Sequence, residues 1–316
     1  MKDNLKINEK FAGEVLAKVI RGDLVESLHL GHLIVLNANG STYLSKGSPE
    51  LPIYPRSAIK SLQAAAMLKA GLKVDADELA IICASHSGSQ NHIDLVTKML
   101  TARGISLSQL KNAADKPLGE KEKISWGDKQ PSQLAQNCSG KHAGMLITCQ
   151  QNGWDMKSYL DLDHPLQVAI KNEIEELSGE KVSAVSVDGC GAPLFAISLV
   201  GLARAISDLV QSKDELYQKI VLACTKYPEL VAGDGRLTTR MMQAVPGLFM
   251  KEGAEGVQVC ALRDGRVIAI KIIDGSWRPV APIIMEIFKR WGVQMPDESV
   301  KIYGGGSVIG EVIANI

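Results

Sequence analysis

The 316-residue sequence predicts an α+β fold, an antiparallel sheet built from strands near both chain ends and packed with a helical middle region. Three observations carry that expectation. Near the start, SLHLGHLIVLNANGSTYLSKG sets two apolar runs around Asn37-Ala38-Asn39-Gly40, a hairpin signal. Near the end, GVQVCALRDGRVIAIKIIDG repeats the pattern with Asp264-Gly265 at its turn. Between them, apolar residues recur at spacings of three and four, the period of an amphipathic helix.

In chain order, the periodic segments are SAIKSLQAAAMLKAG (57–71), NHIDLVTKMLTARG (91–104), HPLQVAIKNEIEELSG (164–179) and ARAISDLVQSKDELYQKIVLAC (203–224), each read as a helix. After the second hairpin, PVAPIIMEIFKRWGV (279–293) reads as one more. Neither a repeat nor a low-complexity linker interrupts the chain, so residues 1–316 are expected to form one domain, with a possible helical lobe at about 90–180.

Charge and composition narrow the partners. Lys plus Arg (35) equals Asp plus Glu (35), which removes the basic footprint of a nucleic-acid binder. No apolar run approaches the roughly 18 residues of a membrane span, and the opening MKDNLKINEKF has no apolar signal-peptide core. Six scattered cysteines favour free thiols over a disulfide framework, so the expected location is cytoplasmic. A small neutral or zwitterionic molecule fits this balance better than a nucleic acid or a membrane.

The motif richest in chemistry is PRSAIKSLQA. Ser57 and Lys60, three apart at a helix start, share a face, where the positive end of the helix dipole favours a serine alkoxide and an uncharged lysine accepts its proton. The plainer alternative is a capping serine beside a solvated lysine. In ELAIICASHSG an apolar run ends in Ser85, His86 and Ser87, and catalytic groups commonly stand at such a junction; a helix cap is equally consistent. Lys271 interrupts the apolar run VIAIKIIDG, and a lysine so placed either reaches out at a sheet edge or points into a polar site. Beside Lys60 its charge favours the neutral amine a base requires.

Cysteine supplies the last cluster. QNCSGKHAG crowds Cys138, Lys141 and His142 together, and SVDGCGAP adds Asp188 and Cys190. One thiolate from each segment, joined by Lys141, His142 or Asp188, makes a soft site suited to zinc. Two other readings stay open: small buried hydrophobes, the common fate of free cysteine, and a Cys-His hydrolase with Cys138 or Cys190 as nucleophile and His142 as base.

Taken together, VESLH (25–29), PRSAIKSLQA (55–64), CASHSG (83–88), NCSGKHAGML (137–146), DGCGAP (188–193) and KIIDGSWRP (271–279) resemble, in order, the motifs of the Rhizobium-type L-asparaginases. The resemblance implies hydrolysis of the side-chain amide of L-asparagine to L-aspartate and ammonia, on a fold similar to serine β-lactamases and serine-dependent glutaminases. It implies two Ser-Lys pairs, Ser57 with Lys60 and Ser85 with Lys271, and a zinc-type metal site at Cys138, Lys141 and Cys190 with Asp188 and His142 close by. Substrate binding is expected from Arg56, Arg278 or Arg21 for the α-carboxylate and Asp188 or Glu26 for the ammonium, with His142 adjoining, because a zwitterion requires one fixed charge of each sign. A homodimer is the expected assembly. One departure stands out: the family pattern has an acid after SHSG, where this chain has Ser89 and Gln90. A glutaminase or β-lactamase-like acylase is the rival enzyme, and a zinc-binding structural protein the rival outside enzymology.

Overall fold

The computed structural model describes residues 13–316, so the charged opening segment read above lies outside the described residues. Three strands come first, β1 (Glu14–Arg21), β2 (Leu24–Leu36) and β3 (Thr42–Lys46), followed by the short β4 (Pro52–Ile53). Helices then dominate: α1 (Lys60–Lys69), α2 (Ala76–Ile82), α3 (Gln90–Thr101), α4 (Glu120–Trp126), α5 (Ser139–Asn152) and α6 (Pro165–Ser178). Strands β5 (Ala184–Val187) and β6 (Pro193–Ser198) precede α7 (Leu199–Gln211), α8 (Glu215–Lys226), α9 (Pro228–Val231) and α10 (Leu237–Ala244). The chain closes with β7 (Phe249–Gly253), β8 (Val257–Ala261), β9 (Val267–Ile272), α11 (Val280–Arg290), β10 (Lys301–Gly304) and β11 (Ser307–Ala314).

Both chain ends contribute to one antiparallel sheet, in the order β10-β11-β1-β2-β9-β8-β7 with β3 also on β2. The expected hairpins are present as β2–β3 and β8–β9, and in the first Gly40 N donates to Asn37 O at 2.9 Å across the turn. Every residue of β8 and β9 is buried, which covers both faces and explains why VIAIKI reads as an unbroken apolar run.

One expectation is corrected. Residues 203–224 form two helices rather than one, because Asp214 caps α8 by accepting from Leu216 N at 2.8 Å while Asp214 N donates to Ser212 Oγ at 3.1 Å. These local bonds compete with helix continuation. Ser198 caps α7 in the same way through Gly201 N at 2.8 Å. The face of α7 carrying Leu199, Leu202, Ile206 and Leu209 is buried, and the helix lies against β2, β8 and β9; each such side chain contributes about 1.5–3 kcal/mol by leaving water. The apolar run LAII is likewise a helix, α2, whose carboxyl end delivers Ser85.

Two glycines let elements approach where the chemistry lies. A Cβ on Gly140, in the first turn of α5, would sit 2.2 Å from Ile81 O, so the end of α2 meets the start of α5 backbone to side. A Cβ on Gly253 in β7 would sit 2.3 Å from Pro55 O and 3.1 Å from Ala58 N, the turn that carries Ser57. Gly253→Ala is therefore expected to destabilise the protein by about 1–3 kcal/mol. Denaturant unfolding measures the effect, and an unchanged variant would show that the contact relaxes freely.

Candidate active site

Five segments converge: the Pro55–Lys60 turn, residues 83–88 after α2, the start of α5, the Asp188–Gly191 turn and β7. His86 ties two of them, its Nε2 lying 2.8 Å from Ser139 Oγ and its backbone N donating to Asn137 O at 3.3 Å. The Asp188 turn closes through Gly191 N on Asp188 O at 2.8 Å, with Gly191 at φ +90°, a conformation open to glycine at little cost.

Lys60, the first residue of α1, is buried and makes three contacts. Its Nζ reaches Ala84 O at 2.5 Å, Cys138 Sγ at 3.1 Å and Ser85 Oγ at 3.4 Å. These match the three N–H bonds of an ammonium. Among the described residues, no hydrogen bond joins the Ser57 hydroxyl to Lys60; the SxxK lysine reaches Ser85 instead. Ser57 is buried in the 3₁₀ turn Arg56–Ile59, directly after Arg56. Arg56 is held at φ +52°, a left-handed conformation that costs a non-glycine residue free energy and recurs at functional sites.

Ser85 has a second lysine, and it is not the one expected. Lys251 of β7 places Nζ 2.9 Å from Ser85 Oγ and 2.7 Å from Glu252 O. Burial, reinforced by the charges of Lys60 and Arg236 and opposed by Glu252, lowers its pKa to about 7, so near neutral pH much of it is a free amine. Lys271 is elsewhere: its Nζ donates to Glu255 O at 2.5 Å and Ile272 O at 2.8 Å, pinning the β7–β8 turn in which Glu255 sits at φ +60°.

The sheet register gives the reason. Lys251 pairs with Val259 and Val259 with Ala269, while Lys271 pairs with Val257, which pairs with Gly253. The two lysines therefore face the same side, two strands and two residues apart, or about 12 Å at ordinary strand spacings. In sequence they carry the same signal, a lysine among apolar strand residues (LFMKEG and VIAIKI). That signal applied to residues 248–253 would have found Lys251.

Cys138 and Cys190 are buried side by side with Ala192, and the Cys138 thiol donates to Asn137 Oδ1 at 3.2 Å. Lys141 Nζ lies 3.3 Å from Cys190 Sγ. The neighbouring Cys138 thiol and, after it, the Lys141 charge hold the Cys190 thiol below its ordinary pKa, while Cys190 and burial push Cys138 up. Burial works against the charge on Lys141, but Cys190, Cys138 and Asp188 outweigh it and raise its pKa. Asp188 pairs with Arg56 at 2.7 Å, and despite burial the charges of Lys141 and Arg56 keep its carboxyl below the usual range.

His142 is buried one position on, its Nδ1 2.7 Å from the Tyr159 hydroxyl, which accepts from Lys111 N at 3.0 Å. Burial and, after it, the Lys141 charge hold this imidazole well below its ordinary pKa. Among the described residues no three His, Cys, Asp or Glu side chains group as metal ligands; the convergent donors here are two thiols and an amine.

Three expected binding residues are not brought to the lysines. Glu26 pairs with Arg21 at 2.7 Å on the exposed end of β2, and Arg21 Nη1 donates to Tyr303 O at 3.3 Å. By register Glu26 stands eight residues and three strands from the Lys251 row, on the order of 25–30 Å away. Arg278 is exposed beside His29. After SHSG, Glu122 of α4 accepts from Ser87 Oγ at 3.1 Å.

No helix among the described residues is long and apolar enough to cross a membrane. Among curated proteins, none matches the chain. Solved structures similar to it include the following two. A β-lactamase from Mycobacterium bovis is 13% identical over 83% of this chain and 94% of that one, with a TM-score of 0.43. A β-lactamase candidate from Bacteroides dorei is 14% identical over 82% and 93%, with a TM-score of 0.44. The profile of the L-asparaginase II family matches residues 17–307, nearly the whole length, and the chain belongs to that family of amidohydrolases.

Proposed function

We propose that this asparaginase-type hydrolase cleaves the side-chain amide of L-asparagine with Ser85 as nucleophile and Lys251 as its general base. The observation that carries this reading is the 2.9 Å contact between Lys251 Nζ and Ser85 Oγ, with Lys60 Nζ 3.4 Å away on the same oxygen. The neutral Lys251 amine takes the Ser85 proton as Oγ attacks the amide carbon. Lys60 places positive charge where the oxygen becomes negative. Lys251 then returns its proton to the departing nitrogen, releasing ammonia and leaving an acyl ester on Ser85. A water molecule, deprotonated by the regenerated amine, attacks that ester; the bond to Ser85 Oγ breaks, Lys251 returns the proton to that oxygen, and aspartate leaves. Arg56 and Asp188, already paired at 2.7 Å, supply the opposite charges that a substrate carboxylate and ammonium require.

The convergence of Cys138, Lys141 and Cys190 supports a zinc site. Two sulfurs and one nitrogen are a donor set zinc accepts once Lys141 gives up its proton. Bound there, the metal would supply fixed positive charge beside the substrate site. A homodimer and a cytoplasmic location belong to the same proposal.

Arg56 supports a second reading of the nucleophile. Its left-handed backbone presents Ser57 on a turn of the kind that exposes attacking hydroxyls. Trapping the acyl-enzyme with a slow asparagine analogue and locating the adduct by mass spectrometry separates the two. An adduct on Ser85 is expected; one on Ser57 assigns the attack to the SxxK serine, and asparagine left intact by the protein counts against both. With Lys251 as base, kcat/KM rises with pH through about 7, because the active form is the uncharged amine.

A further inference from the structure

Arg236 belongs to none of the motifs above, yet its guanidinium joins both halves of the Ser85–Lys251 pair. Nη1 donates to Ser85 O at 2.6 Å and to Ala232 O at 3.2 Å. Nη2 pairs with the Glu252 carboxylate, whose other oxygen accepts from Thr238 Oγ1 at 3.4 Å. Glu252 follows Lys251 in β7 and gives its own carbonyl to Lys251 Nζ at 2.7 Å. On the other side, Ser85 N donates to Val231 O at 2.9 Å. One side chain, about a quarter exposed (24%), thus binds the segment after α2, the loop before α10 and strand β7 to one another.

That brace matters because Ser85 and Lys251 are 166 residues apart in sequence, and no shared element keeps them in register. A displacement of about 1 Å at a reacting contact can cost about 10²-fold in rate. It matters electrostatically as well. The charged and titratable groups around Lys251 are Lys60 from α1, Arg236, Glu252 on its own strand, Cys138 at the start of α5 and Cys224 on α8. Glu252 is the only carboxylate in that group, and Arg236 is what occupies it.

We infer that Arg236 is a positioning residue for hydrolysis, bracing Ser85 against Lys251 and holding the Glu252 carboxylate away from the Lys251 amine. The inference rests on the Ser85–Lys251 reading above.

The test uses Arg236→Gln, Arg236→Lys, Glu252→Gln and the double variant Arg236→Gln/Glu252→Gln. Two quantities are read for each, the pH profile of kcat/KM and the titration midpoint of Lys251 from competitive labelling with trace acetic anhydride followed by mass spectrometry. Arg236→Gln is expected to lower kcat about 10²-fold with KM nearly unchanged, and to move the acid limb and the labelling midpoint up by about one pH unit, since a cation is lost and an anion freed beside the amine. Glu252→Gln should move both down, and the double variant should bring them back toward wild type. Arg236→Lys keeps the charge and should leave the midpoint in place while still losing rate.

Unchanged midpoints in Arg236→Gln and Glu252→Gln, with kcat within twofold of wild type or falling only as far as thermal stability falls, would overturn the inference. If Arg236→Gln does not fold, the opposite shifts expected of Glu252→Gln and the unshifted Arg236→Lys decide it. Failure of the wild type to release ammonia from asparagine counts against the parent reading alone, because the labelling midpoint requires no turnover.

Discussion

Lys251→Met is expected to lower kcat by about 10³-fold, within the 10²–10⁴ that a positioned general base contributes, while the protein keeps its fold. Lys271→Met should do the reverse, keeping kcat within about tenfold and lowering stability. Methionine fills a similar volume in each case, so the comparison isolates the amine. At position 251 the lost group is the partner of Ser85 Oγ at 2.9 Å, with a pKa lowered to about 7. At position 271 the lost group holds two carbonyls, Glu255 O and Ile272 O. Without the amine Glu255 O loses its lysine donor and Ile272 O keeps only Gly275 N, at 3.2 Å; hydrogen bonds of this kind contribute about 0.5–1.5 kcal/mol each, which a thermal melt detects. Ammonia release under saturating asparagine measures the other half. Loss of turnover in Lys271→Met with turnover preserved in Lys251→Met would return the second Ser-Lys pair to its original assignment.

The second large effect concerns metal. Cys138→Ser and Cys190→Ser are each expected to weaken zinc binding by about 100-fold or more, beyond the 10–100-fold seen when only a group supporting a ligand is lost, and Lys141→Met should weaken it too. Cys138 and Cys190 lie in one buried cluster and Lys141 Nζ stands 3.3 Å from Cys190 Sγ, so the donors need little rearrangement. Competition against a chromophoric chelator, with metal content after dialysis as a check, measures the affinity. Cysteine variants that bind zinc as tightly as wild type would dismiss the site, and a Lys141→Met variant that does so would reduce it to the two thiols.

Much of this molecule was legible in its sequence because the relevant physics is local. Asn37-Ala38-Asn39-Gly40 and Asp264-Gly265 specify turns whatever surrounds them, and the apolar periods of α1, α3, α6 and α11 report which face must leave water. The spacing in PRSAIKSLQA placed Lys60 in a first turn, where the structure has it. Local reading also explains the failure at residues 203–224: apolar periodicity runs on through Ser212 and Asp214, but two capping hydrogen bonds end one helix and begin the next.

The identity of the second lysine was of another kind. Lys251 and Lys271 are equivalent as sequence signals, both lysines on buried strands facing one side of one sheet. What separates them is strand order and register, which put β7 beside the Ser57 turn and leave Lys271 two strands away holding a hairpin. The same holds for Glu26, chemically suitable but carried far from the site by β2, and for Arg56, which the fold pairs with Asp188 at 2.7 Å across 132 residues of chain. The sequence by itself determined which groups exist, which short segments hold them and what each is chemically able to do. Tertiary structure decided which of them meet, because proton transfer and ion pairing act over a few ångströms while residue separation along the chain says nothing about distances across a sheet.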